Sequence, residues 1–374
     1  MTPVFEMMEK VGVRYLYRLS GSFVPPEGGV VHILSEADRK AMRRLERNAT
    51  WLIALAGAIS AGIAVLAELT VLPLPEGQEL GLQPEVLRHY GWVWGITLLA
   101  TILEIAYIYY ESLRATYRLA EIAGLDLFPD GKPESATAHF LVRAAMELPN
   151  PPATDLGLDH QKESSKLMIL LAAVVYKIKI FGTNLIARLL LRKLAGRVVA
   201  RVWLELIAIP ITAAWNYVVA RIVLKDALVR ALGPSLAQEF INDLKSRLPE
   251  ISLAGREAML QAVGASLVRT ADPHPNLVML FKMLAENLDI DPHSETEFDS
   301  SQAFFDNLRQ LNRVEQNYAL KVLEMATILD GRIRRRERYL LKRAFAICDR
   351  VWDEAHLKAL RKSFADGYPI LDRL

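Results

Sequence analysis

The chain carries one cysteine, Cys348, in 374 residues. No disulfide can close within it, which suits a reducing compartment. It also lacks a net charge of either sign. Lys and Arg number 45 against 43 Asp and Glu, for a formal balance of +2. No overall basic field points to nucleic acid. The opening MTPVFEMMEKVGVRYLYRLSG has no apolar core bounded by a small-residue cleavage site, so no cleaved signal peptide is expected. There is no Walker loop, dinucleotide glycine fingerprint, HExxH or GxSxG. The histidines are scattered. Nothing assembles a catalytic constellation, and we expect a non-enzymatic chain without a cofactor.

What the sequence has in quantity is apolar side chains, 52% of all residues, with a mean hydropathy of +0.17. They are concentrated in runs. The first, WLIALAGAISAGIAVLAELTVLPL at 51–74, holds one charge, Glu68. At about 1.5 Å per residue it is long enough to cross a hydrocarbon core of about 30 Å. Its small residues, Ala56 to Ala58 and Ser60 to Gly62, suit close helix contact in lipid. The second, GWVWGITLLATILEIAYIYYESL at 91–113, has Trp92 and Trp94 at one end and Tyr107, Tyr109 and Tyr110 at the other. Such rings favour the two headgroup regions. Residues 51–113 therefore read as a transmembrane hairpin. Arg39, Lys40, Arg43, Arg44 and Arg47 precede it, Arg114 and Arg118 follow it, and its loop has Arg88 among three glutamates. The excess of basic residues puts both flanks in the cytoplasm. Residues 1–50 thus form a cytoplasmic segment with a basic helix, in which Ser35 is the expected cap and Asp38 its acidic partner. That helix also suits anionic headgroups.

Residues 114–165, rich in Pro, Gly and Asp, read as a cytoplasmic linker with a short helix near AHFLVRAAMEL. Residues 166–233 hold two further apolar stretches around a basic connection with Arg188, Arg192, Lys193, Arg197 and Arg201. Two full spans would put that connection outside the cell, against the charge rule. Insertion from the cytoplasmic side or burial inside protein would not. Steps of four gather much of this charge on one stripe, suited to lipid phosphates or, where subunits meet, to an anion path.

AAVVYKIKIFGTN at 172–184 places Lys177 and Lys179 inside an apolar run. A mid-membrane ammonium must find a partner, an interface or water. Lys179 lies close to Gly182 and Asn184, which mark a helix break. Lys177 matches Glu104 in depth, and pairing between them is one expectation. Snorkelling and an ion path are the others. Glu68 sits near the outer end of its span, within reach of water. Pro210 is expected to kink the last apolar helix, and Asn216 to offer an amide for an interhelical bond.

From 234 to 374 the apolar residues recur at helical spacing, and alternating β-branched runs are nearly missing. This reads as a cytoplasmic helical bundle. Within it LDGRIRRRERYLLKRAF at 329–345 resembles the signature of TerB-like tellurite-resistance domains, in which an Asp-Gly turn enters a helix carrying a glutamate. Asp330, Gly331 and Glu337 occupy those positions, while Arg332, Arg334, Arg335 and Arg336 depart from that family's acidic character. The AGRVVAR to AWN pattern at 195–216 resembles the membrane-associated EcsC group of bacterial proteins. The units DPHP at 272 and DPHS at 291 repeat Asp-Pro-His, and the second lies in an acidic loop, Asp289 to Asp299, whose oxygens could serve a hard cation. Its spacing lacks an EF-hand's glycine and terminal glutamate.

The sequence thus describes an all-α membrane protein of the bacterial cytoplasmic membrane. It has a transmembrane hairpin, a second apolar helical hairpin and a cytoplasmic helical bundle, with both termini cytoplasmic. Two functions fit: a membrane scaffold or sensor whose bundle binds a cytoplasmic protein, or an oligomeric ion channel or transporter with a path near Glu104 and Lys177. Expected partners are the bilayer, its anionic headgroups and further copies of the chain, with no nucleic acid.

Overall fold

The computed structural model describes residues 3–22, 33–70, 84–129, 131–132, 135–150, 198–268, 273–293 and 296–374. All regular structure among them is helical. In chain order the helices are α1 (Pro3–Leu19), α2 (Glu36–Leu69), α3 (Pro84–Ile122), α4 (Ala136–Ala145), α5 (Val198–Lys245), α6 (Leu253–Leu267), α7 (Pro275–Leu288), α8 (Ser301–Gln310), α9 (Arg313–Leu329), α10 (Arg335–Ile347) and α11 (Glu354–Ala365). Two compact units divide the chain. One comprises Met1–Met42, Thr116–Ala173 and Lys225–Leu374; the other comprises Arg43–Ala115 and Val174–Leu224.

In the larger unit helix ends follow local side-chain chemistry. Ser252, Ser300, Asn312 and Asp353 each accept a backbone N–H of the first turn that follows, satisfying donors that the helix leaves orphaned. At the start of α10 the backbone N–H of Arg334 donates to Glu337 Oε2 at 2.7 Å. The core is built around α6, which is buried on nearly every side from Ala258 to Leu267 and packs against α7, α8 and α9. A helix apolar all round demands such a place. The Phe298 carbonyl oxygen lies only 2.0 Å from where a Cβ on Gly264 would stand. Glycine there is a condition of the packing.

The N-terminal part of this unit is tied in by an ion pair as well as by apolar packing. Helix α1 turns Gly12, Val13 and Leu16 inward and packs on α4. Among those residues sits Glu9. Arg143 grips it in a fork, Nε to Oε1 at 2.7 Å and Nη2 to Oε2 at 2.8 Å. His139 Nδ1 lies 2.7 Å from the same Oε1. The short helix expected near AHFLVRAAMEL is α4, and its lone arginine has a buried acidic partner 134 positions away.

The cap foreseen at Ser35 is present: Asp38 N–H donates to Ser35 Oγ at 3.1 Å. Arg39 differs from the expectation of a headgroup contact. Its side chain is 11% exposed, and its guanidinium lies 4.2 Å over the Tyr368 ring. Leu34 N–H donates to the Gly367 carbonyl at 2.9 Å, where Gly367 adopts φ +73° against Leu34. Lys40, Arg43, Arg44 and Arg47 are exposed.

The smaller unit is made of α2 from Arg43, α3 up to Ala115 and α5 up to Leu224. Among the described residues three helices are long and apolar enough to cross a membrane: Glu36–Leu69, Gly91–Ile122 and Leu206–Lys245. Many of their large side chains point outward: Trp51, Leu55, Ile59 and Leu66 on α2; Leu98, Leu99, Ile102 and Leu103 on α3; Ile211, Trp215 and Val218 on α5. Their inward stripes are rich in small residues, with Ile53 of α2, Val93 of α3 and Leu224 of α5 buried among them. Ala54, Gly57, Ser60, Ala61 and Ala64 line α2, and Ala208, Thr212, Asn216 and Ala220 line α5 at steps of four. Helix α5 runs unbroken for 48 residues. Pro210, expected to kink it, lies inside a continuous helix.

Candidate functional site

In the smaller unit the inward stripes converge on one polar contact. Asn216 Nδ2 of α5 donates to Glu104 Oε1 of α3 at 2.8 Å, and both side chains are buried. Gly57 of α2 faces the pair. A Cβ there would lie 2.3 Å from Asn216 Nδ2 and 3.3 Å from Glu104 Oε1. The missing side chain is what admits the amide, so three helices meet at one carboxyl. Such a bond excludes water from the carboxyl oxygen and fixes the rotation of α3 against α5. Ser60 Oγ, also inward on α2, is buried with no hydrogen-bond partner among the described residues.

The expected partner of Glu104, Lys177, lies outside the described residues, as do Lys179, Arg188, Arg192, Lys193 and Arg197. Arg201 falls in the first turn of α5. Glu68 is half-buried at the last turn of α2. The structure therefore brings Glu104 together with Asn216, which the sequence marked as an interhelical donor on separate grounds.

The larger unit holds a second, denser polar cluster where α5, α7, α9 and α10 meet. Arg230 donates to Asp226 Oδ2 through Nε at 2.8 Å. Its Nη1 reaches the Phe140 carbonyl at 2.9 Å and Asn150 Oδ1 at 3.0 Å. Asn276 Nδ2 donates to the backbone carbonyls of Val229 at 2.8 Å and Leu329 at 3.2 Å. The Val229 carbonyl is open to this approach because Gly233, one turn on, has no side chain. A Cβ at 233 would stand 2.0 Å from Asn276 Nδ2. Asn276 thus ties α7 to both α5 and α9.

His274 caps α7, its Nδ1 accepting the Asn276 N–H at 3.3 Å. That assigns its proton to Nε2, which faces Asp226 Oδ1 at 3.8 Å, too far for a direct hydrogen bond. Burial, aided by the Arg230 charge, holds the imidazole down to about 3. Asp330 ends α9, Gly331 turns the chain at φ +68°, and Glu337 sits in the first turn of α10. Both acids are buried. Burial raises both carboxyls, Asp330 well above the ordinary carboxylate range, and the Glu337 charge adds to the rise at Asp330. Arg334 Nε stands 4.0 Å from Asp330 Oδ2. Among the described residues no three His, Cys, Asp or Glu side chains are arranged to hold a metal ion.

Sequence reading missed Glu9, Arg143, Arg230, His274 and Asn276. One signal was available: Arg143 is the only arginine or lysine in AHFLVRAAMEL, an otherwise largely apolar stretch. No family model matches the chain, and neither a curated protein nor a solved structure matches it.

Proposed function

We propose that this protein is a non-enzymatic scaffold or sensor of a bacterial cytoplasmic membrane. In this reading the apolar parts of α2, α3 and α5 stand in the bilayer, and the helical unit built on α6 lies in the cytoplasm, where it holds a protein partner. The observation that carries the reading is the outward belt of large apolar side chains on those three helices. Trp51, Leu55, Ile59, Leu66, Leu98, Leu99, Ile102, Leu103 and Trp215 are all between 47% and 65% exposed. Water-soluble monomers rarely show so large a continuous apolar surface; lipid is the solvent that accepts it.

The inward polar groups support a second reading, an oligomeric channel or transporter. Glu104, Asn216, Thr212 and Ser60 place buried polar groups inside the smaller unit, as ion paths require. Recording from the purified full chain in planar bilayers separates the two. The scaffold reading expects no conductance across voltage and pH. A reproducible conductance altered by Glu104→Gln would replace it with the channel reading. Sedimentation after detergent-free lysis tests the membrane itself: protein left in the supernatant overturns both.

A further inference from the structure

Helix α1 carries a surface that the reading above does not use. Its inward face, with Glu9, Gly12, Val13 and Leu16, is occupied by α4. The opposite arc presents Lys10, Arg14 and Arg18 at steps of four, all exposed. Between them stand Met7 and Val11, 65% and 56% exposed. Glu6 is the only acid on that arc. None of the three cations forms an ion pair with a described residue. Like charges one turn apart repel along a helix, so the stripe is disfavoured unless an anionic surface meets it. The two large apolar side chains in the middle of the arc have no use against a nucleic acid. They match the boundary between lipid headgroups and acyl chains, where a helix lying flat buries its apolar residues and its cations reach phosphate.

We infer that α1 docks on an anionic bilayer surface through Lys10, Arg14, Arg18, Met7 and Val11, and so reports the anionic lipid content of the membrane to the helical unit it is fastened to by Glu9 and Arg143. This rests on the membrane reading of α2, α3 and α5, which supplies the bilayer on the same polypeptide.

The test uses the full chain with Cys348→Ser, an environment-sensitive fluorophore on Met7→Cys, and nanodiscs of either pure zwitterionic lipid or zwitterionic lipid mixed with phosphatidylglycerol. A second protein carries the fluorophore on Leu55→Cys, in the outward belt of α2. The expected result is a blue-shifted emission at position 7 in the anionic discs, quenched by lipids spin-labelled near the headgroup, and a water-like emission in the zwitterionic discs. Replacing one of the three cations by glutamine weakens the response to phosphatidylglycerol by about fivefold. K10E/R14E/R18E abolishes it. A water-like emission at position 7 in both discs overturns the inference. So does a blue shift that ignores lipid charge and survives the triple reversal, which marks a protein contact such as a second copy. Position 55 should be lipid-quenched in both discs. Lipid quenching at 55 without any at 7 removes the α1 surface alone; no quenching at 55 removes the membrane reading beneath it.

Discussion

The two units solve the packing problem in opposite ways. In the larger one, phenylalanines and leucines such as Phe281, Phe304, Phe305, Phe364 and Leu260 are fully buried, while most charges face outward. In the smaller one many large apolar side chains are outside and the interior is richer in alanine, glycine, serine and threonine, with Ile53, Leu113 and Leu224 buried among them and an amide-to-carboxyl bond joining α3 to α5. Where water is the solvent, burying large apolar groups drives assembly. Where lipid is the solvent that drive disappears, and close backbone approach with a few polar contacts takes over. The same chain therefore uses an asparagine in two ways. Asn276 satisfies two backbone carbonyls inside an apolar core. Asn216 joins two helices whose outer faces are apolar.

The contrast predicts where substitution hurts most. The strongest effect belongs to Arg143→Met. It strands Glu9 in a buried site without its cation, and removing one partner of such a pair costs about 3 to 5 kcal/mol. Hydrogen exchange at residues 136–145 should rise toward the global unfolding rate, with little change in the apolar stretch of α3. Next is Gly264→Ala, whose methyl meets the Phe298 carbonyl oxygen at 2.0 Å. Overpacking of this kind costs about 1 to 3 kcal/mol and should lower the melting transition of the larger unit alone. Asn216→Leu keeps the volume and deletes the bond to Glu104. Interhelical bonds of this class contribute about 0.6 to 2 kcal/mol in lipid, so denaturant titration in nanodiscs should show a smaller loss. A loss as large as that of Arg143→Met would break the comparison, because it would mean the smaller unit also depends on desolvated charge.

The effects of pH run in two directions. Burial raises the Asp330 and Glu337 carboxyls. Their contribution to stability is complete below the ordinary carboxylate range and is lost as pH rises through the folded-state values. Asp330→Asn should therefore make the protein more resistant to alkaline unfolding than the unsubstituted chain, with no such gain in acid. His274 has the opposite sign. Its imidazole is held down to about 3, so its contribution is present above the usual histidine range and is lost as pH falls from there toward about 3. His274→Gln should flatten that acid limb in a chemical-denaturation series.

How much of this was legible depends on distance along the chain. The all-helical architecture and the apolar stretches followed from periodicity and run length. The Ser35 cap followed from residues three positions apart. Asn216 was marked as a donor because an amide in an apolar helix needs a partner. The identity of that partner was not accessible, because matching depth along two helices leaves rotation undetermined. Gly57, which makes room for the amide, reads in the sequence only as one small residue among six. The larger unit hid more. Arg143 and Glu9 are separated by 134 positions, and each sits in a segment where a charged side chain normally faces water. Gly233 and Gly264 matter for what approaches them, and the approaching groups, Asn276 and the Phe298 carbonyl, come from elsewhere in the chain. The arginines after Gly331 masked a buried acid pair, because Asp330 and Glu337 meet only when the turn folds α10 back onto α9.

The hold of Gly367 and Tyr368 on Leu34 and Arg39 has a consequence in time. Arg39 and Gly367 are 328 positions apart, so the base of α2 emerges from the ribosome long before the residues that seal it exist. At roughly 5 to 20 residues per second, translation leaves that base uncovered for about 16 to 66 s. Every nascent chain thus passes through an interval in which Arg39 still faces solvent, and its cradle closes only once Gly367 and Tyr368 have been made.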